Sequence, residues 1–532
     1  MALLQFVFLR INNKNMNKNL NQEIQILINK YKQQNFSDVI HKSSSLLKKH
    51  PKNDFLWNLA GLCFQRVQNN QSAITSFQNA IESNPNNDSA KNNLAISYKN
   101  TRQYDEAEKI LKQLLKKNPN YLNALVNLGN LKNQTYFFDE ALENLEKALK
   151  IKNDLPEVHL NIANILQIRG KMNEAIKHLY EALKLNKNFT KADQVLSMLL
   201  SYKNADNDHH LQNMIEKINY PELNNDDKIN LHFALGKCFE DKKDYENSFK
   251  HFNLGNKLQE KFTKSNLKNF RQKSEDIKNF FLKIDLKKIE KKNNNEKKIF
   301  ILGLPRSGTT LLEKIISSHS KVGSVSEIGF IHDNINENTS INQKFDKKKA
   351  NDFLNKDLNK KYNDILKFYN IKKEFIIDKT LINFWYIGFI KIFFPNSKII
   401  HSFRNPKDNC LSIFKNLFRN NETWLFNQED IGEYYLIYND LMKFWNQMFE
   451  GEIYNSKYED LINNHEKNTR NLIKFCELDW EDACLNHHKN ENPIKTLSVN
   501  QANQPIYKTS INSSKFFENK LDKLYKILDK LN

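Results

Sequence analysis

Cysteine is scarce in this chain of 532 residues, and no sequence pattern typical of a metal site occurs. The five cysteines are odd in number and include no Cys-x-x-Cys pair. Such a set predicts reduced thiols and therefore a cytoplasmic protein. Because neither an acidic cluster nor a His/Cys spacing of the zinc type is found, we expect no metal. The cysteines are Cys63, Cys238, Cys410, Cys476 and Cys484.

Long apolar segments are missing as well. No stretch approaches the roughly 20 apolar residues that a membrane-spanning helix needs, so we expect no membrane span. The first ten residues are apolar, but they have neither the basic leader nor the small-residue cleavage site of a signal peptide. We therefore expect residues 1–22 to be a disordered or mis-assigned start, with Met16 as the alternative initiator.

The charge is strongly one-sided, since 81 Lys and Arg face 62 Asp and Glu and give a formal net charge of +19. A basic surface can attract nucleic acid, but no nucleic-acid-binding motif or interleaving of aromatic and basic residues stands out. We expect no nucleic-acid partner. A polyanionic nucleotide and an acidic acceptor both fit the excess of positive charge.

The N-terminal half repeats with a period of 34 residues, which is the length of a tetratricopeptide repeat. Four rows of residues keep this interval: prolines that end helices, two rows of small residues where helices cross, and one apolar row. The pattern predicts an all-α solenoid over residues 23–260, followed by a helix and linker over 261–297. The rows are Pro51, Pro85, Pro119; Gly61, Ala95, Gly129, Ala163; Ala73, Ala107, Ala141, Ala175; and Phe77, Leu111, Leu145, Leu179.

Stacked helix pairs of this kind form a concave groove that binds peptides or partner proteins. The alternatives are that the solenoid only supports the following domain or forms a dimer. A last helix pair is expected over residues 231–258, whereas residues 190–225 are poorer in pattern.

Residues 299–312 read as a buried strand, a tight turn and the start of a helix. The apolar run ending at Leu302 leads into Gly303, and Gly308 precedes the helix. This geometry directs backbone N–H groups and a helix N-terminus at one point, as a phosphate or sulfate requires. The spacing of the two glycines is that of a nucleotide P-loop, but Thr309 stands where the lysine would be. Because the positive charge is Arg306 instead, the site suits a single phosphate or phosphosulfate.

Residues 397–414 repeat this plan. A strand ends at Arg404, Pro406 suits a first helical turn, and the helix that follows carries Ser412. Arg404 and Ser412 can converge on a second anion at the strand end, where ligands bind in open parallel sheets. Further strands near 374–378 and 453–457 alternate with helical stretches, which predicts a P-loop-like α/β domain with a mostly parallel sheet over residues 298–532.

The two motifs resemble those of sulfotransferases that use 3′-phosphoadenosine 5′-phosphosulfate (PAPS). Pro305 to Thr310 resemble the 5′-phosphosulfate loop, and Arg404-Asn-Pro-x5-Ser412 resembles the 3′-phosphate motif. Residues from about 295 to 525 are similar to the bacterial sulfotransferase domains that are fused to tetratricopeptide repeats and are related to tyrosylprotein sulfotransferases.

The resemblance implies roles for individual residues. Glu327 corresponds to the general base, and Lys379 to a lysine that stabilises the departing group. Tyr458 corresponds to a tyrosine near the adenosine, and Ser510 lies in a C-terminal segment that closes over the nucleotide. Many bacterial members have an aromatic residue near position 514, where this chain has serine. The residues implied to bind the co-substrate are Arg306, Ser307, Gly308, Thr309, Thr310, Arg404, Ser412, Tyr458 and Ser510.

Sulfuryl transfer makes independent sense of these residue types, because it needs cations around the transferred group and a base on the acceptor hydroxyl. Arg306 and Lys379 supply the cations and Glu327 the base. Glu327 could instead be a surface acid or pair with one of those cations, and Tyr458 could simply pack on the sheet. His319 and His401 are rival bases, although His319 is expected beyond the anion and His401 inside a strand.

The sequence thus predicts a sulfotransferase that moves a sulfuryl group from PAPS to an acceptor hydroxyl. The acceptor could be a protein tyrosine, a saccharide, a lipid or a small metabolite. The alternatives are a P-loop kinase or NTPase, and a repeat scaffold whose sulfotransferase domain is vestigial.

Overall fold

A computed structural model describes residues 18–261, 265–286, 297–339, 346–354, 356–369, 371–418, 422–490, 496 and 499–531. Of the start predicted over residues 1–22, residues 1–17 lie outside these ranges, as does the boundary near 291–295, whereas residues 18–22 belong to the first helix. The chain forms two compact units, Met1–Ile162 and Ala163–Asn532. No helix among the described residues is long and apolar enough to cross a membrane.

The first unit is an array of antiparallel helix pairs. Its helices are α1 (Lys18–Lys32), α2 (Phe36–Lys49), α3 (Asp54–Arg66), α4 (Asn70–Ser83), α5 (Asp88–Asn100), α6 (Tyr104–Lys117), α7 (Leu122–Gln134) and α8 (Phe138–Ile151), and α9 (Pro156–Ile168) begins in it. The 34-residue rows explain the packing. A Cβ added to Gly61 would lie 2.5 Å from the Phe77 ring, and one added to Gly129 would lie 2.8 Å from Leu145. The predicted small residues are thus the places where helices cross closely.

The turn inside each of these helix pairs contains a residue with positive φ, and these residues also recur every 34 positions. In five of the pairs, the second residue after the first helix adopts a left-handed backbone, which glycine favours, yet four of the five are other residues. They are Gln34, Gln68, Arg102, Tyr136 and Gly170, with φ values of 61°, 60°, 61°, 67° and 75°.

The second unit continues with helices and then forms a sheet domain. Its helices before the sheet are α10 (Met172–Leu185), α11 (Thr190–Leu199), α12 (Asp208–Lys217), α13 (Asn225–Asp241), α14 (Tyr245–Glu260) and α15 (Leu267–Phe281). The expected last helix pair is thus α13 and α14. Helix α15 packs tightly on the sheet domain. The ring of its last residue, Phe281, lies so close to Gly388 that a Cβ added to this glycine would be 2.3 Å from a ring carbon.

Five parallel strands form the sheet, in the order β2-β3-β1-β4-β5. They are β1 (Lys297–Leu302), β2 (Val322–Ser324), β3 (Phe375–Asp378), β4 (Lys398–Phe403) and β5 (Ile453–Lys457). Four of them were expected from the sequence, and the three-residue β2 was not. The prediction of a helical array followed by an α/β domain with a parallel sheet is confirmed.

Helices cover both faces of the sheet. They are α16 (Thr309–Ser317), α17 (Phe330–Thr339), α18 (Lys347–Leu354), α19 (Leu358–Phe368), α20 (Ile387–Phe393), α21 (Pro406–Phe414), α22 (Gln428–Met448), α23 (Tyr458–Asn463), α24 (His465–Phe475), α25 (Val499–Ala502) and α26 (Asp522–Leu528), with short 3-10 turns such as Leu381–Tyr386 and Ser513–Lys520. Alternate residues of β1 enter the two cores: Phe300 joins the aromatic cluster around α20 and α22, and Ile301 joins the aliphatic cluster around α16 and α24.

Candidate functional site

The candidate site lies at the carboxyl ends of β1 and β4. Strands β2 and β3 lie on one side of β1 within the sheet, and the chain then crosses over to add β4 on the other side of β1. The loops that follow β1 and β4 therefore diverge and leave a crevice between them, which is where ligands bind in open α/β sheets. Both predicted anion motifs open on this crevice.

The loop after β1 has a backbone that the sequence pattern only partly foretold. Gly303, Arg306 and Gly308 adopt φ values of 146°, 69° and 104°. A Cβ on Gly303 would lie 2.2 Å from the carbonyl oxygen of Ser402, and one on Gly308 would lie 2.7 Å from the Tyr458 ring. Both glycines are therefore required by space as well as by conformation. Arg306 holds a left-handed backbone without that freedom.

The loop ends on the N-terminus of α16, whose first N–H groups have no partner within the helix. The Ser307 N–H bonds back to the carbonyl of Leu304 at 3.3 Å and keeps the loop tight. Its hydroxyl is fully buried and has no hydrogen-bond partner among the described residues. A buried hydroxyl without a partner is costly, so a bound anion would satisfy it.

The turn after β4 is built from side chains instead of glycines. Asn405 caps α21 by accepting from the N–H groups of Lys407 at 3.0 Å and Asp408 at 3.3 Å. Pro406 occupies the first helical turn, as predicted. The turn fixes Arg404 at the end of β4, where it is only 6% exposed.

A direct hydrogen bond joins the two motifs. Arg306 donates from Nε to the hydroxyl of Ser412 at 3.2 Å, and from Nη2 to Oε1 of Gln501 at 2.7 Å. Burial is the largest influence on the Arg306 guanidinium, and it lowers the pKa of that group, as does the nearby charge of Arg404. A buried arginine, Arg404, beside a half-buried one, Arg306, favours an anionic ligand.

The C-terminal segment lies over this crevice. Arg404 donates to the backbone carbonyl of Ser510, and the hydroxyls of Tyr458 and Ser510 are 2.9 Å apart. The Arg404 guanidinium also stacks over the Tyr458 ring at 5.1 Å and lies 3.7 Å from Asp408. The structure therefore brings the predicted nucleotide residues Arg306, Ser412, Arg404, Tyr458 and Ser510 into one cluster.

Glu327 and Lys379 form a second group at the same edge of the sheet. The Lys379 ammonium donates to Glu327, and it lies 3.4 Å from the carboxylate of Glu313. Lys379 and Glu313 are fully buried, while the Glu327 side chain is 41% exposed. Of the alternatives considered for Glu327, the structure contains the pairing with Lys379. Its exposure leaves the carboxylate open to an acceptor hydroxyl.

Burial and neighbouring charges affect the pKa values of the two buried residues, Lys379 and Glu313, differently. Burial alone would lower the pKa of Lys379, but the charges of Glu327 and Glu313 outweigh it and the pKa is raised. Burial raises the pKa of Glu313, and Lys379 and a hydrogen bond from Ser324 offset this only in part. Lys379 is therefore held as a cation beside two carboxyl groups.

Both candidate histidines are buried, and both ring nitrogens of each already have hydrogen-bond partners. His319 is 2% exposed and bonds to the backbone through both ring nitrogens, with Nε2 3.0 Å from the carbonyl of Asp479. His401 is buried inside β4 between Asn455, 2.7 Å away, and the hydroxyl of Tyr438. Burial lowers the pKa of His401 to about 4. Both lie as the sequence suggested, one beyond the loop and one inside a strand.

Sequence reasoning missed three participants: Glu313, Gln501 and Asp408. Glu313 lies one helical turn beyond Thr309, on the face of α16 that continues from the loop, and this spacing was a usable signal. Asp408 accepts from the N–H groups of Asn512 at 2.7 Å and Ser514 at 2.8 Å. Contacts between positions so far apart in the chain leave no local signal.

Comparison with known proteins agrees with this geometry. Residues 298–482 match the model of a sulfotransferase family, and residues 67–128 and 156–189 match tetratricopeptide-repeat models. The predicted combination of repeats with a sulfotransferase domain is confirmed at this level, whereas nothing in these matches bears on a relation to tyrosylprotein sulfotransferases.

One curated relative is an uncharacterised protein of Aquifex aeolicus, 28% identical over 334 residues. The match covers 60% of this chain and 44% of that protein, so this chain spans less than half of its length. Among solved structures, PilF of Pseudomonas aeruginosa is similar at 20% identity and TM-score 0.31, covering 37% of this chain and 88% of that one. A tetratricopeptide-repeat protein of Parabacteroides merdae is similar at 18% and 0.35, covering 44% and 92%. Scores this low carry no argument about function.

Proposed function

We propose that this chain, which joins tetratricopeptide repeats to a sulfotransferase-family domain, transfers a sulfuryl group from PAPS to an acceptor hydroxyl. The observation that carries the proposal is the 3.2 Å hydrogen bond between Arg306 and Ser412. It joins the loop after β1 to the helix after β4, and two neighbouring anion sites there would suit a nucleotide with phosphates at both ends.

The first motif would hold the transferred group. Its donors would be the N–H groups at the start of α16, the hydroxyl of Ser307, which has no partner among the described residues, and the Arg306 guanidinium. Such preorganised donors stabilise charge that develops during transfer. Thr309 and Thr310 open the helix and would contribute backbone donors.

The second motif would hold the 3′-phosphate. Arg404 and Ser412 supply a charged and a neutral donor, and Tyr458 lies over Arg404, where an adenosine would meet its ring. Ser510 would close the site from the C-terminal segment. Its carbonyl accepts from Arg404, and a phosphate oxygen could take the same place on that guanidinium.

The reaction then needs no further group from the chain than Glu327 and Lys379. Glu327 takes the proton from the acceptor hydroxyl, and the acceptor oxygen attacks sulfur in line with the leaving phosphate. The S–O bond to that phosphate breaks, and its electron pair leaves with 3′,5′-adenosine bisphosphate. Lys379, held as a cation, stabilises the departing charge.

For the acceptor we propose a protein tyrosine, with saccharides, lipids and small hydroxyl compounds as the alternatives. The support is the repeat array, since such grooves commonly bind peptides. We also propose that the repeats bind a protein or peptide partner and that the protein works in the cytoplasm. The five cysteines are free and buried, as a reducing compartment allows.

Calorimetric titration with 3′,5′-adenosine bisphosphate, AMP and ATP tests the donor. We expect the bisphosphate to bind tightly, and Arg404→Ala to weaken it by about 30-fold or more because a buried charge contact is lost. Arg470→Ala is the matched control, since that arginine pairs with Glu466 on the surface of α24. Binding of Mg-ATP with indifference to the bisphosphate would favour a kinase or NTPase, and no binding of any nucleotide would favour a scaffold.

A further inference from the structure

Helix α14, which belongs to the second unit, contacts the end of the helix that carries Ser412. The Asn256 side chain is 1% exposed and donates from Nδ2 to the carbonyl of Phe414 at 2.8 Å. Phe414 is the last residue of α21, where carbonyl groups lack partners within the helix. The Phe249 ring stacks on the Phe414 ring at 5.6 Å. Helix α14 therefore caps and packs the C-terminal end of α21.

The same helix contacts the C-terminal segment that follows Ser510. The Tyr245 ring stacks on Phe516 at 4.8 Å, with 11° between the planes, and meets Phe517 edge-on at 5.3 Å. Glu246 pairs with Lys520 at 2.7 Å. These contacts fix the 3-10 turn Ser513–Lys520 against α14.

The two parts held by α14 also meet each other, at Asp408. This aspartate lies in the first turn of α21 and accepts from the N–H groups of Asn512 and Ser514. Helix α14, helix α21 and the C-terminal segment thus form a triangle in which each member touches the other two. Ser412 lies on helix α21, and Ser510 lies in the C-terminal segment, two residues before the contact at Asn512.

We propose that α14 is a positioning element of the donor site, and that Asn256 and Tyr245 act as positioning residues for the 3′-phosphate. The inference rests on the proposed function. Ser412 can share a phosphate with Arg404 only while α21 keeps its orientation, and a displacement of about 1 Å is enough to spoil such a contact. Helix α14 therefore sets the affinity for the 3′-phosphate.

The test compares two nucleotides on the full chain. The 3′,5′-bisphosphate uses both motifs, whereas 5′-AMP lacks the phosphate that α21 would hold. We expect Asn256→Ala and Tyr245→Ala to weaken the bisphosphate by about 5- to 20-fold, the loss of one hydrogen bond or one ring contact, and to change AMP by less than about twofold. Tyr245→Phe keeps the ring and is expected to bind as wild type. Lys250→Ala, at an exposed position of α14, is the matched control.

The outcomes separate this inference from the proposed function. If the wild-type chain does not bind the bisphosphate, the proposed function fails. If the wild-type chain binds the bisphosphate and both alanine variants bind it with wild-type affinity, the positioning role is wrong. The role is also wrong if the variants lose affinity for the bisphosphate and for AMP by the same factor. If Asn256→Ala does not fold, the pair Tyr245→Ala and Tyr245→Phe decides, because equal affinities for that pair would overturn the proposal.

Discussion

The two strand–turn–helix units of the site share one plan but build it from different parts. The unit after β1 uses its backbone: Gly303 and Gly308 have left-handed φ values, and the loop aims N–H groups at the crevice. The unit after β4 uses side chains: Asn405 caps the helix, and Arg404 and Ser412 face the crevice. A backbone-built site is broken by adding atoms, whereas a side-chain site is broken by removing them.

The difference has a physical origin in the strand order. β1 is central, with β3 and β4 as neighbours on either side, so the start of its loop lies against the end of strand β4. The Gly303 α-carbon faces the carbonyl of Ser402, which leaves no room for a side chain. The turn after β4 contains no glycine and is held by the Asn405 side chain instead.

Gly303→Ala is expected to have the largest effect. Its φ of 146° and the 2.2 Å approach to a carbonyl oxygen mean that a methyl group must displace backbone. We expect a loss of about 3 kcal/mol or more in the free energy of unfolding, measured by urea denaturation. Gly451→Ala is the matched control: its φ is 76°, but nothing lies within 4 Å of the added carbon. It should cost only about 1–2 kcal/mol, and equal losses would refute the steric argument.

Glu327→Gln is expected to separate turnover from binding. Neither anion-binding unit contains Glu327, so affinity for the bisphosphate should stay within about twofold. The loss of the base should reduce kcat by about 10²- to 10⁴-fold, measured by sulfate transfer from labelled donor. Glu374→Gln makes the same change in an exposed ion pair with Lys297 and should be silent. Wild-type turnover in the Glu327 variant would remove the residue from the base role.

The sequence predicted what recurs and what is local. The 34-residue rows gave the helical array, and the two motifs gave Arg306, Ser412 and Arg404, which meet in one crevice. The three-residue β2 was not predicted, because so short a strand has no alternation to read. Glu313 and Lys314 are charged and yet buried, and burial of this kind depends on the tertiary structure. The contact between Asp408 and the C-terminal segment spans about a hundred residues and depends on tertiary structure alone.

Asp378 should give the stability a pH dependence that neither anion-binding unit shares. It ends β3 and is buried, with Thr380 and Tyr362 donating to it, and burial raises its pKa from 3.8 to about 6. The folded chain therefore keeps this proton up to about pH 6, while the unfolded chain releases it near pH 4. The cost of the buried carboxylate is fully present above about pH 6, declines as the pH falls from 6 to 4, and is absent below about pH 4.

Relative to Asp378→Asn, the wild-type chain should thus gain up to about 3 kcal/mol of stability between pH 6 and pH 4. Urea denaturation across this range measures the difference. Asp479→Asn, in which the replaced carboxylate is 90% exposed, should leave the wild-type slope unchanged. Parallel slopes for wild type and Asp378→Asn would show that the aspartate is not protonated at pH 5.

Ser307→Ala should give the smallest effect of these variants. We expect its stability to rise and its affinity for the bisphosphate to fall. The Ser307 hydroxyl is buried without a partner among the described residues, so its removal should raise the free energy of unfolding by about 1 kcal/mol. The same removal should weaken the bisphosphate by about tenfold if that hydroxyl meets the 5′-phosphate. Ser402→Ala is the matched control, since its hydroxyl donates to the Ser307 carbonyl at 2.9 Å and its loss should destabilise the chain. If Ser307→Ala lowers stability and leaves affinity unchanged, the hydroxyl serves the loop and not the anion.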